Sequence, residues 1–211
     1  SQELRLSSGN SEDRFKWIVG LFYSNQKDNL NQVAKTLGLG GLGVPGFTSD
    51  VVYSGDTTTK MDQYAAFGEG TLSVTDSLDL TAGARFFQIK QVVDALGDGP
   101  LNGGATVNVD RRSNEKGVNP KASLSYKVTP DNLLFVSAAK GFRPGGPNRY
   151  RINPTLCAAD LTRLGITGAP DSYESDSLWS YELGTKNQFA DGRVTLNTAL
   201  FMTDWKKIQQ Q

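Results

Sequence analysis

Apolar and polar residues alternate with a period of two along most of this chain. In 121–128, Ala122, Leu124, Tyr126 and Val128 take one parity, and Lys121, Ser123, Ser125 and Lys127 take the other. Successive side chains of a strand point to opposite faces, so this is a strand with one apolar and one wet face. Leu78, Leu80, Ala82, Ala84 and Phe86 interleave in the same way with Asp79, Thr81, Gly83 and Arg85. Tyr64, Ala66, Gly68, Gly70, Leu72 and Val74 interleave with Gln63, Ala65, Phe67, Glu69, Thr71 and Ser73, and Tyr181, Leu183, Thr185 and Phe189 with Ser180, Glu182, Gly184, Lys186 and Gln188. The stretches 15–24 and 133–141 carry apolar residues on both faces, and in 193–205 the pattern weakens after Leu200. The pattern predicts about eight strands, near 2–7, 14–25, 61–75, 78–92, 118–128, 132–142, 177–189 and 193–206. Short helices are predicted only at 29–37 and 155–164.

The connections alternate in length. Short ones, at 8–13, 75–77, 129–131 and 190–192, carry the Pro, Asp and Gly that tight hairpin turns require. Long ones fall at about 26–60, 93–117 and 143–176. Strict alternation gathers the short turns at one end of the sheet and the long loops at the other, as in an up-and-down antiparallel meander and not in a Greek-key sandwich. Most of the predicted strands reach the 9–11 residues or so with which a tilted strand crosses a bilayer, and short turns opposite long loops characterise outer-membrane barrels.

Composition narrows the chemistry. The 211 residues include 22 Lys+Arg and 22 Asp+Glu, so the formal charge of zero gives no footprint for nucleic acid. The absence of His removes Ser-His-Asp and Cys-His catalysis, H-E-x-x-H zinc sites and His-based pH switching. Cys157 stands alone, which excludes an internal disulfide or a cysteine metal cluster. No window approaches the roughly 18 apolar residues of a membrane helix, a test to which alternating barrel strands are invisible.

The remaining motifs have plainer readings. Gly38, Gly40 and Gly43 match G-x-G-x-x-G, but no hydrophobic strand precedes them and Pro45 follows at once, so a flexible glycine loop replaces the dinucleotide site. Glu69, Asp79 and Glu182 lie on polar strand faces, where pairing with Arg85, Lys121 or Lys186 in a lumen accounts for them better than a glycosidase pair does. The acidic and amide residues of 94–110 fit no EF-hand loop. Tyr and Trp residues gather at strand ends, as interfacial girdles do. No cofactor, resident metal or enzymatic activity is expected.

Several stretches also resemble TonB-dependent outer-membrane receptors. They are 1–7 with Trp17-Ile-Val-Gly-Leu-Phe-Tyr23, Leu80-Thr-Ala-Gly-Ala-Arg85-Phe, and 119–126 followed by 134–146, which ends in Gly-Phe-Arg-Pro-Gly-Gly. The hairpin of 181–186 and 196–205 is the last. The hits are ordered and span nearly the whole chain, with siderophore receptors the nearest flavour. The resemblance implies about eight strands of a 22-stranded transmembrane barrel, with 1–211 a partial barrel that lacks the plug domain, the TonB box and the C-terminal strands. It implies import of a scarce solute such as a ferric siderophore, in the bacterial outer membrane. The implied partners are membrane lipid, the plug, the TonB–ExbB–ExbD complex and a small-molecule substrate.

On this reading Leu80, Ala82, Leu124, Tyr126 and Leu183 meet lipid, and Glu69, Asp79, Arg85, Lys121, Lys127, Glu182 and Lys186 meet the lumen or plug. The rim run 141–151 would form the substrate mouth, with Arg143, Asn148, Arg149 and Arg151 as candidates for an anionic ligand. A competing reading is that 141–146 only shapes the strand exit. A passive porin or adhesion barrel and a soluble carbohydrate-binding β-sandwich stand as alternatives.

Overall fold

The computed structural model describes residues 1–10, 12–45, 48–100, 107–148, 158–168 and 170–209. Its main body is one eight-stranded antiparallel sheet in sequential order. The strands are β1 (Gln2–Ser7), β2 (Phe15–Lys35), β3 (Val51–Ser73), β4 (Leu78–Asp98), β5 (Val107–Thr129), β6 (Asn132–Arg143), β9 (Asp176–Phe189) and β10 (Val194–Lys206). Between β6 and β9 lie a two-residue strand pair, β7 (Gly146–Pro147) and β8 (Ser172–Tyr173), and a helix, α1 (Ala158–Leu164). The meander is therefore as the turn spacing predicted.

The register puts the alternating apolar residues on one face. Phe15 pairs with Leu72 and Tyr23 with Tyr64; Leu72 pairs with Leu80; Leu78 pairs with Tyr126, and Phe86 with Val118. Leu124, Val136, Leu183 and Leu200 continue the row through β6, β9 and β10. On each of β2–β5 this outward apolar band is at least nine residues deep, at 15–23, 64–72, 78–86 and 118–126, with Val128 extending it on β5. Nine residues is the depth at which a tilted strand crosses hydrocarbon. The band coincides across β2/β3 and β4/β5 and shifts by two residues between β3 and β4, the stagger that tilted barrel strands need. A sandwich would bury this face against a second sheet. Instead Leu183 keeps 52% of its surface exposed and Phe86 58%.

Opposite the band, three phenylalanines lie over glycines on the neighbouring strand: Phe67 over Gly20, Phe87 over Gly117 and Phe135 over Gly184. A Cβ on Gly117 would sit 2.5 Å from Phe87 Cζ, so only glycine admits the ring. This is why 15–24 and 133–141 look apolar on both faces: Phe22 and Phe135 belong to the inner one.

Four sequence expectations need correction. The strands predicted at 14–25, 61–75, 78–92 and 118–128 run on to Lys35, back to Val51, on to Asp98 and back to Val107. The long loops at 26–60 and 93–117 thus shrink to 36–50 and 99–106, at the tips of extended hairpins. Their Asn, Asp, Thr and Lys residues read as loop because the outward side faces water beyond the band, while the backbone groups stay paired in the ladder. The helix expected at 29–37 is strand as far as Lys35, with Leu30 opposite Thr57 and Val33 opposite Ser54. Each residue of 29–35 is paired with β3, and this tertiary pairing overrides a marginal local helical preference. The helix expected at 155–164 is present over 158–164, and 155–157 lie outside the described residues. The glycine run is more ordered than a flexible loop. It forms a short 3-10 turn at Leu39–Gly41, tied by the Gly40 N–H donating to Asp50 Oδ1 at 2.9 Å.

Among the short turns, 190–192 carries three consecutive left-handed residues, Ala190, Asp191 and Gly192, at φ 52°, 54° and 79°. Gly192 takes that conformation without strain, whereas Ala190 bears a side chain that disfavours it by about 1–2 kcal/mol.

Candidate functional site: a two-zone barrel wall and its rim

Within the depth of the apolar band, the inner face is charged. Glu69, Gly83, Lys121, Ala139 and Ser180 are successive register partners across β3, β4, β5, β6 and β9. Lys121 forms an ion pair with Glu69. Asp79 accepts a hydrogen bond from Ser73 Oγ at 2.7 Å and faces Lys127 Nζ at 3.7 Å. The Arg85 guanidinium lies 5.0 Å from the Phe22 ring centre and 5.9 Å from Phe67, and Lys186 Nζ lies 5.8 Å from Phe135. Glu182 stands opposite Ser137 and Lys186 opposite Leu133. The register therefore brings Glu69, Asp79, Arg85, Lys121, Glu182 and Lys186 to one face, as the alternation of the sequence indicates.

Above the band the sides exchange character. Ala65, at the band's upper edge, and Phe87, Ile89, Val93 and Val109 beyond it are buried on the inner side, with Phe22, Met61 and Phe142 packed around the first three. The covering comes from the β6–β9 connection. The β5–β6 ladder ends at Lys121/Ala139, but β6 stays paired with β9 as far as Arg143/Asp176. The segment beyond it lies over β4 and β5. Phe142 stacks on Phe87 with ring centres 3.9 Å apart. Gln91 Nε2 donates to the Gly145 carbonyl at 2.7 Å, and the Gly145 N–H donates to Glu115 at 3.1 Å.

Asp176 anchors this fold-over. It is 1% exposed, accepts hydrogen bonds from the Arg143 backbone N–H at 2.8 Å and Nε at 2.9 Å, and lies in an ion pair 2.6 Å from Arg143 Nη2. Burial pushes its carboxyl pKa up, but the side-chain and backbone bonds from Arg143 outweigh that and hold it below the ordinary 3.8. Arg143 also donates to the Gln209 carbonyl at 2.8 Å, and its guanidinium lies 5.5 Å from the Trp205 ring. Gln209 Nε2 in turn donates to the carbonyls of Pro144 and Glu174, both at 3.1 Å. Glu115 behaves oppositely to Asp176. Burial raises its pKa, and Glu174 nearby adds to that, against the Gly145 N–H.

Of the predicted rim residues, Arg143 is thus engaged by Asp176. Asn148 is engaged too: its side chain donates to the Pro170 carbonyl at 2.6 Å and its N–H to Asp171 at 2.9 Å. Arg149, Arg151 and Cys157 lie outside the described residues. Asp176, Gln91, Glu115 and Arg111, which forms an ion pair with Asp171 at 3.2 Å, escaped the sequence reading. Nothing in the strand alternation distinguishes them, because each depends on a partner at least 30 residues away. Among the described residues no three His, Cys, Asp or Glu side chains come together as a metal site.

A sequential antiparallel wall, apolar outward over nine residues and charged inward, is the architecture of a transmembrane β-barrel. The chain belongs to the TonB-dependent receptor family, whose β-barrel model, "TonB dependent receptor-like, beta-barrel", matches residues 2–211. The chain is 27% identical over 208 residues to the pesticin receptor of Yersinia pestis, covering 99% of this chain and 27% of that one. It is 24% identical over 158 residues to the catecholate siderophore receptor Fiu of Escherichia coli strain UTI89, covering 69% of this chain and 20% of Fiu. The crystal structure of the ferric yersiniabactin uptake receptor FyuA from Yersinia pestis superimposes with a TM-score of 0.78 at 24% identity, over 98% of this chain and 28% of that one. The closed form of the E. coli ferric-catecholate receptor Fiu gives 0.67 at 19% identity, over 96% of this chain and 30% of that one. At such identities the structures speak for the fold. The chain spans about a quarter of the length of the curated relatives it matches. The two solved structures are described as an uptake receptor and an import receptor.

Proposed function

We propose that this chain is a wall segment of a bacterial outer-membrane receptor that imports a scarce chelated metal, such as a ferric siderophore, with energy delivered through TonB–ExbB–ExbD. The reading is carried by the nine-residue outward apolar band repeated on β2–β5, set against a charged inner face. Outward residues meet lipid. Glu69, Asp79, Arg85, Lys121, Glu182 and Lys186 meet the lumen, where a plug domain docks against them. The long-loop end faces outside, and the run 141–151 borders the substrate mouth. There Arg149 and Arg151 offer cationic contacts to an anionic chelate, while Arg143 and Asn148 hold the run in place.

The facing assignment is tested by a neighbouring pair of substitutions in the full-length receptor. An Arg at mid-bilayer on the lipid face costs about 2–4 kcal/mol. Leu124→Arg is expected to abolish heat-modifiable barrel in outer-membrane fractions, and Ser125→Arg to leave it; equal assembly of the two sinks the assignment. Uptake of labelled ferric siderophore tests the mouth. Arg149→Ala/Arg151→Ala is expected to weaken binding about tenfold or more, in line with about 1.5–3 kcal/mol for hydrogen bonds to charged groups. Unchanged uptake affinity removes these two residues from the site.

A further inference from the structure

The β6–β9 connection is held against the inner wall at three heights. At its base Phe142 stacks on Phe87, and Asp176 accepts from the backbone N–H and Nε of Arg143. Higher up, Gln91 and Glu115 both bind the backbone of Gly145. Four residues further along β5, roughly 13 Å at about 3.3 Å per residue, Arg111 reaches both limbs of the connection. Its Nη1 donates to the Asn148 carbonyl at 3.1 Å on the outgoing limb and to the Pro170 carbonyl at 3.4 Å on the returning one, and its Nε pairs with Asp171 at 3.2 Å. The limbs also hold each other. Gly146 pairs with Tyr173 and Pro147 with Ser172, and a Cβ on Gly145 would strike the Tyr173 carbonyl. From the far side Gln209 donates to the carbonyls of Pro144 and Glu174, and Lys207 forms an ion pair with Glu174.

The hairpin tip at 36–50 is built differently. The Thr36 and Gly40 N–H groups donate to Asp50 within the tip itself, and Leu37 and Leu42 stay 88% and 73% exposed. The connection also covers the wall on one side only. Asp28, Thr59, Val93 and Arg111 are successive register partners across β2–β5. Val93 is 1% exposed, Thr59 9% and the Arg111 side chain 13%, whereas Asp28 is open. The inner side is therefore screened on β4 and β5 and uncovered on β2.

We propose that limbs 143–148 and 170–176 form a stationary constriction of the lumen, and that the imported solute passes them on the β2 side while they stay on the wall. The inference rests on the barrel reading above. Peeling the limbs away would break the bonds that Glu115 and Arg111 make to them. A hydrogen bond to a charged group shifts an equilibrium by about tenfold or more, so these two contacts alone hold the peeled form to about one in a hundred. The Phe142–Phe87 stack and the Gln91 bond lower it further.

The test uses the full-length receptor carrying Cys157→Ser. Gln91→Cys/Gly146→Cys tethers the limbs to β4, since a Cβ on Gly146 sits 3.0 Å from Gln91 Oε1. The probe is radioactive iron loaded into the chelator fraction of an iron-starved culture of the source bacterium. The oxidised, tethered receptor should import it as fast as the reduced one. A loss of about tenfold on oxidation, restored by dithiothreitol, would show that the limbs must move and overturns the constriction. Asp28→Cys bearing a polyethylene-glycol maleimide should slow import, and Lys27→Cys, facing outward, should not; equal import by the two overturns the β2 route. Hydrogen exchange supplies a readout independent of transport. The Gly145 and Asn148 amides should exchange about a hundredfold slower than the tip at 36–50. Exchange as fast as the tip overturns the constriction even where every form fails to import. Wild type that imports no chelate overturns the proposed function, and exchange then decides the constriction by itself.

Discussion

Strands β2–β5 each pass through two zones, and the contrast between them explains most of this molecule. In the lower zone the outward side is apolar and the inward side charged; in the upper zone the outward side is mostly polar, and the inward side is buried or half-buried on β3–β5 but exposed on β2 beyond Ser24. On β4 the exchange falls between two adjacent residues, Phe86 facing out at 58% exposure and Phe87 facing in at 8%. The pleat never changes phase, since the β4 register runs unbroken across both zones. What changes is the surroundings. On the proposed barrel reading, the outward solvent in the lower zone is hydrocarbon, which accepts Leu, Phe and Val and penalises charge. In the upper zone the outward solvent is water, and the inner side is covered by the chain's own connection folded over Glu115 and Gln91. One strand meets two solvents, so its amphipathic sense inverts at the boundary between them.

The sharpest way to break this comparison is to truncate its two switch residues separately. Phe87→Ala should destabilise the receptor by about 3–5 kcal/mol, because it removes a buried ring stacked on Phe142. Phe86→Ala, on the lipid side, should cost far less. Urea unfolding in detergent reads the difference, and similar losses for both would mean that the zones do not differ in packing. A smaller effect is expected from Gly117→Ala. The added Cβ meets the Phe87 ring and should cost about 1–3 kcal/mol as the ring is displaced. If stability is unchanged, the ring over glycine is not a tight fit.

The gentlest probe concerns the anchor of the upper zone. The lowered pKa of Asp176 means that its contribution is present above the ordinary carboxylate value of 3.8 and is lost as pH falls through the lower folded-state value. Hydrogen exchange of 143–147 should therefore be faster in Asp176→Asn than in wild type at neutral pH. The two should converge as pH drops below 3.8. A difference that persists in acid would show that the carboxylate charge is not what holds the fold-over.

How much of this was legible in the sequence differs by zone. In 64–72, 78–86 and 118–126 the outward residues are nearly all apolar, so parity, facing and even the charged inner row could be read directly. In 26–35, 51–60 and 107–117 both parities carry polar residues, and these stretches, like 93–98, read as loop although they are strand. Backbone pairing there is enforced by the ladder that rises from the band, a continuity that local propensity does not encode. The Arg143–Asp176 anchor was hidden for a different reason. Both residues sit at strand ends 33 positions apart, and only the β6–β9 register makes them partners.

A period-two pattern specifies which side chains share a face, and turn residues at short intervals specify a sequential meander. Both are local properties, and both could be read before any coordinates. Where the amphipathic sense inverts along the strand, how far the strands rise above the band, and which loop folds inward were settled only by the assembled sheet. Those depend on contacts between segments far apart in the chain, whose free energies exist only once the strands are paired.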